Sequence, residues 1–174
     1  RCDSGTVTLQ ATTNIGTVNW YDALTGGNLV ATGTSFTTPS LTSTITYYVE
    51  ALNGVCSSAR SAVIATVNTT PTITSTTPAT RCGTGSVTLQ ATASAGSTIW
   101  YSAPTGGTPL ATTNSFTTPS ISATTTYYVE ASTGSCTSTR TAVIATVNNV
   151  PTITSTAPAS RCDSGSVTLQ ATAS

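Results

Sequence analysis

Apolar side chains return at alternate positions in short runs, each closed by residues that favour turns. Val7, Leu9 and Ala11 share one face of the run 7–11, and Tyr47, Val49 and Ala51 share one face of 47–51. A period of two belongs to half-buried strands, and no stretch carries the 3.6-residue period of an amphipathic helix. Further strands are predicted at 18–21, 29–31, 35–38, 62–67 and 71–76. Thr25-Gly26-Gly27 turns the chain, and Asn53-Gly54 is a hairpin signal because a tight turn there needs positive φ. About seven short strands and no helix predict an all-β sandwich.

The pattern occurs twice and a fraction. Arg1-Cys2-Asp3-Ser4-Gly5 returns as Arg81-Cys82-Gly83-Thr84-Gly85 and as Arg161-Cys162-Asp163-Ser164-Gly165, so the repeat starts anew at positions 1, 81 and 161. Sliding 1–80 onto 81–160 without a gap gives 50 identities. So long a period suits a unit that folds by itself, unlike the shorter repeats of solenoids. The expected organisation is 1–68, a repeat lacking its first strand; 69–148, a complete repeat; and 149–174, the first two strands of a third. The register is cut within a repeat at both ends, so further copies are expected beyond it. Only Asn68-Thr69-Thr70 precedes Pro71, where the next copy begins. So short a joint, with one φ fixed by proline, predicts a stiff rod growing by roughly 30–40 Å per copy.

The repeat also organises the five cysteines. Cys56 follows Cys2 at the same interval as Cys136 follows Cys82, and the partner of Cys162 is expected beyond residue 174. One disulfide within each copy is the expectation, which implies an oxidising compartment. In the chain-entropy model such a loop contributes about 4 kcal/mol. Trp20 and Trp100 fall on the third strand and are expected in the core. Tyr47 and Tyr127 are expected as core aromatics too, and further as tyrosine corners, their hydroxyls satisfied by backbone. Tyr21, Tyr48, Tyr101 and Tyr128 alternate towards the other face, where cross-strand packing is a better expectation than stacking on sugars. Glu50 with Arg60, and Glu130 with Arg140, are candidate cross-strand ion pairs, each worth about 0.2–1 kcal/mol if exposed.

Composition removes other functions. Ten residues are charged, five of each sign, with no Lys and no His. A neutral chain without a basic stripe is not expected to bind nucleic acid, and no apolar run is long enough to span a bilayer as a helix. The 44 Thr and 23 Ser could mark a disordered stalk, but the alternating apolar runs favour folded strands carrying β-branched Thr. No acid pair is kept between copies, since Asp3 becomes Gly83 and Asp22 becomes Ser102. Without His or clustered cysteines, neither an enzyme, a metal site nor a cofactor is expected.

With these residues in view, the chain resembles the immunoglobulin-like tandem repeats of giant Bacteroidetes cell-surface proteins, including gliding-motility adhesin filaments. The resemblance rests on Cys-x-x-Gly-x-Val-x-Leu-x-Ala at 2–11, Trp-Tyr followed by Thr-Gly-Gly at 20–27, and Ser-Phe-Thr-Thr-Pro at 35–39. It continues through Thr-Tyr-Tyr-Val-Glu-Ala at 46–51 and the segment from Cys56 to Arg60, and the second copy repeats each. It implies export and display on the cell surface, with neighbouring repeats of the same chain as partners. The expected function is a structural module of an extracellular filament or stalk that presents or constitutes an adhesin. The alternative is a carbohydrate-binding or accessory domain of a secreted hydrolase. Surface polysaccharide and lateral self-association are candidate further contacts.

Overall fold

A computed structural model describes all residues, 1–174, and every regular element is a strand. The first repeat contains β1 (Thr8–Gln10), β2 (Thr17–Tyr21), β3 (Leu29–Thr32), β4 (Ser35–Thr37), β5 (Ile45–Asn53), β6 (Cys56–Ser57) and β7 (Ser61–Ala65). The second contains β8 (Ile73–Thr77), β9 (Ala79–Cys82), β10 (Thr88–Ala93), β11 (Ser97–Tyr101), β12 (Ser115–Thr117), β13 (Thr125–Ser132) and β14 (Thr141–Asn148). β15 (Ile153–Ala157) and β16 (Gln170–Ala173) begin a third.

The complete repeat shows the plan. One sheet has the order β12-β10-β8 and the other β11-β13-β14-β9. Its first segment serves both sheets: β8 pairs antiparallel with β10, then β9 pairs parallel with β14. Pro78 stands at the crossing, where a residue without an N–H donor interrupts neither ladder. Strand β9, carrying Cys82, is absent from the sequence-based strand assignment. The first repeat keeps the corresponding contact as a parallel bridge between Cys2 and Asn68.

Between the sheets lie two matching cores. Leu89, Ala91, Trp100, Phe116, Tyr127, Val129, Val143 and Ala145 form one, and Leu9, Val18, Trp20, Phe36, Leu41, Tyr47 and Ala65 the other. Both tryptophans are wholly buried. Each indole N–H is satisfied by a carbonyl 2.9 Å away, Gly33 for Trp20 and Thr113 for Trp100. Tyr47 and Tyr127 meet Phe36 and Phe116 edge-on, with ring centroids 5.0 Å apart. No hydrogen bond joins either tyrosine hydroxyl to backbone, so these residues act as core aromatics and not as tyrosine corners.

The copies differ where their sequences do. Leu29 of β3 corresponds to Pro109, whose ring removes a ladder donor, and only a Trp100–Ala111 bridge remains there. Strands β15 and β16 pair as β8 and β10 do, but Leu169 is 72% exposed where its counterpart Leu89 is buried. A two-stranded ribbon has no second sheet to cover its apolar face.

The cysteine pairing departs from expectation. The bond runs from Cys2 to Cys136, across the two repeats, and Cys56, Cys82 and Cys162 are free and exposed. The expected Cys2–Cys56 and Cys82–Cys136 bonds are not formed. Cys2 lies beside Asn68, at the end of the sheet where β5 begins, whereas Cys56 pairs with Asn53 where β5 ends. The nine residues of β5 place those ends roughly 25–30 Å apart. A disulfide requires Cα atoms within about 7 Å.

Removing the central indole should unfold a repeat of this size. Trp100→Ala is expected to lower the unfolding free energy of the second repeat by about 3–5 kcal/mol in urea titration. A loss below about 1 kcal/mol would show that the indole does not anchor the sandwich.

Candidate functional site: the joint between repeats

The joint is assembled from the tail of the first repeat and the head of the second. At the tail, Asp3 N–H donates to the Asn68 carbonyl at 2.8 Å, which fixes Cys2 against the last strand. At the head, Gly96 packs against the carbonyl of Ser132, beside the turn that carries Cys136. The Cys2–Cys136 bond joins them with Cα atoms 5.8 Å apart. Cys136 is only 2% exposed, and Pro71, between the units, is buried.

A second tie fastens the linker to the first repeat. The Asp3 carboxylate accepts from the Thr70 N–H at 2.9 Å and from the Thr70 hydroxyl at 2.7 Å. These hydrogen bonds, the hydroxyl's first, hold the Asp3 carboxyl below its ordinary pKa of 3.8. Asp3 has φ 57°, and Gly83 occupies the same position in the second copy with φ 67°. Both residue types tolerate that left-handed backbone. The partner changes with it: Thr70 becomes Val150, which lies against Gly83. Asp22 behaves alike. Its carboxylate accepts from the Asn28 backbone at 2.7 Å and side chain at 2.9 Å, which lowers its pKa, while the second copy has Ser102 and Thr108.

The motif Arg-Cys-x-x-Gly also has a local cause. The Arg81 side chain lies over Gly85, donating to the carbonyls of Gly83 and Ser86 at 3.0 and 2.9 Å. A Cβ on Gly85 would run into the guanidinium. Glycine leaves the space in which the arginine ties down its own loop.

The glutamate–arginine pairs sit within larger clusters. Arg60 Nε donates to Glu50 at 3.3 Å, the Tyr21 hydroxyl donates to the other Glu50 oxygen at 2.8 Å, and Arg60 lies 3.3 Å over the Tyr21 ring. Arg60 Nη1 also reaches the carbonyls of Ala23 and Gly26 at 2.6 Å. Arg140, Glu130, Tyr101, Ala103 and Gly106 repeat the arrangement. Both expected pairs form, and side-chain exposures of 12–15% make them sheltered pairs, outside the exposed case. Burial, and then the hydrogen bond to Glu130, push the Tyr101 pKa up. Each arginine pins the Thr-Gly-Gly turn and covers one tyrosine face.

A family model described as "Ig-like domain, CHU_C associated" matches residues 1–68 and 69–148. The chain belongs to this Ig-like family. No curated protein matches it. Within these Ig-like repeats no group of His, Cys, Asp and Glu could hold a metal ion. A shallow hollow beside Glu130 and Arg140 is lined by Pro104, Thr105, Gly106, Ser138 and Thr139. No helix is long and apolar enough to cross a membrane. The chemistry the site offers is cross-linking and hydrogen bonding between repeats.

Three outcomes are expected. Trypsin cuts this Lys-free chain after its arginines, giving 2–60 and 82–140 among its peptides. Without reduction these two should migrate as one linked species, whereas bonds within each copy would leave them separate. Arg140→Ala should cost about 2–3 kcal/mol in urea unfolding, because it strips a sheltered carboxylate of its charged partner and two carbonyls of their shared donor. A cost below about 1 kcal/mol would return the pair to the exposed class. The third outcome concerns pH. A carboxylate whose pKa is lowered by folding stabilises above its unfolded pKa, and that stability is lost as pH falls through the folded value. The stability difference between the parent and Asp3→Gly should therefore hold at neutral pH and shrink below about pH 4. A difference unchanged at about pH 2 would show that the carboxylate's charge is not what holds Thr70.

Proposed function

We propose that these Ig-like repeats are length-giving modules of an extracellular filament or stalk that presents or constitutes an adhesin, of the kind used in gliding motility. The observation that carries this reading is the Cys2–Cys136 bond, reinforced by the Asp3–Thr70 contact that anchors the three-residue linker. A cross-linked, proline-containing joint resists bending and transmits tension, which a spacer requires and an independently acting binding domain does not. A disulfide at the joint suits the oxidising conditions outside the cytoplasm.

The alternative, a sugar-binding or accessory module, draws less support from the surface. Sugar recognition by stacking uses open aromatic faces. Here Arg60 occupies one face of Tyr21, and Arg140 one face of Tyr101.

The test pairs shape with binding. Small-angle scattering of the oxidised chain should give one extended distance distribution spanning roughly 60–80 Å for the first two repeats, and a panel of bacterial and host polysaccharides should show no saturable binding. A broad distribution typical of freely jointed units, or a specific glycan bound by the isolated chain, would overturn the spacer function.

A further inference from the structure

We infer that the Cys2–Cys136 bond is one rung of a ladder: Cys82 is built to bond the loop cysteine of the following repeat, and Cys56 to bond the first cysteine of the preceding one. This rests on the tandem-array part of the proposed function and not on what the array presents.

Cys82 is placed as Cys2 is. Gly83 N–H donates to the Asn148 carbonyl at 2.9 Å, matching the Asp3–Asn68 bond, and Cys82 pairs with Asn148 in the parallel ladder. The thiol is exposed, and the adjoining Gly83 lies against Val150, where the chain leaves for the third repeat. Cys56 is placed as Cys136 is, in the turn that closes the opposite end of its repeat. Cys136, covered by the joint, is 2% exposed, while Cys56 is open to solvent and adjoins Val55, which is fully exposed. Each repeat thus carries one cysteine at its tail and one at its head, and the one pair that meets within this chain is bonded.

The second joint also lacks the first joint's other tie. Gly83 and Val150 replace Asp3 and Thr70, so no carboxylate anchors that linker. A bond from Cys82 would supply the cross-joint link there. Its formation converts two thiols to a disulfide. Two protons and two electrons leave, and oxidised glutathione, or an equivalent disulfide oxidant, takes them to become two thiols.

The test completes the third repeat. Ser174 corresponds to Ser94, so appending the sequence of residues 95–160 after Ser174 keeps the register and supplies a third loop cysteine. The extended chain is folded in a glutathione redox buffer, alkylated and digested with trypsin without reduction. A ladder leaves Cys56 and Cys162 as the two alkylated thiols. It also links 2–60, 82–140 and the peptide beginning at Cys162 into one species. Cys82→Ser should release the third peptide while 2–60 and 82–140 stay joined. No alkylated thiols and three separate peptides would overturn the ladder, as would a free added cysteine beside an intact Cys2–Cys136 bond. The same map on the parent polypeptide is a second measurement, independent of how the extended chain folds. It should show only bonds between successive repeats, and bonds within repeats would refute the inference. Because the readout is connectivity alone, a failed spacer function would leave it standing.

Discussion

The length of β5 governs the joint. Its nine residues run the height of the first sandwich and separate Cys2 from Cys56 by far more than a disulfide spans. The eight residues of β13 do the same between Cys82 and Cys136. Two cysteines held at opposite ends of a rigid unit cannot satisfy each other. They can meet only across a head-to-tail contact, and Cys2 and Cys136 do so. The parallel pairing of β9 with β14 is the device that holds a cysteine at the tail end.

Around that constraint each unit is small and braced. A core of seven or eight buried residues leaves little stability to spare, and units of this size generally depend on additional ties. Here these are polar and local. Arginines 60 and 140 each join three elements by binding a glutamate, a tyrosine face and the carbonyls of the Thr-Gly-Gly turn. Threonine contributes similarly, as in the Thr8–Thr37 and Thr88–Thr117 hydroxyl pairs at 3.2 and 3.0 Å across β1–β4 and β10–β12. A chain with ten charges is thereby held by hydroxyls and carbonyls in place of surface ion pairs.

Much of the sandwich was legible in the chain because alternation over Val7–Ala11 or Tyr47–Ala51 has a single physical cause, one face dry and the other wet. Leu9, Trp20 and Tyr47 accordingly fall in one core. The cysteine partners were not read correctly, although the signal was present. Successive antiparallel strands reverse direction, so the turn after the first strand and the turn after the sixth lie at opposite ends of a sandwich. Cys2 belongs to the former and Cys56 to the latter. The equal interval between cysteines in the two copies was a weaker guide than this parity. Asp3 and Asp22 were also undervalued, because acids not kept between copies looked incidental. Their partners, Thr70 and Asn28, change with them, and paired change between copies was the signal to follow.

The central claim, that one covalent bond spans the joint, is tested most directly by pulling the chain between its termini before and after reduction. A Cys2–Cys136 bond shields a loop spanning 134 residue steps from tension, so reduction should add about 470 Å of contour at about 3.5 Å per residue. Bonds within each copy would instead shield two shorter loops, one from Cys2 to Cys56 and one from Cys82 to Cys136. A gain of only about 380 Å, the sum for those two loops at the same length per residue, would contradict the cross-linked joint.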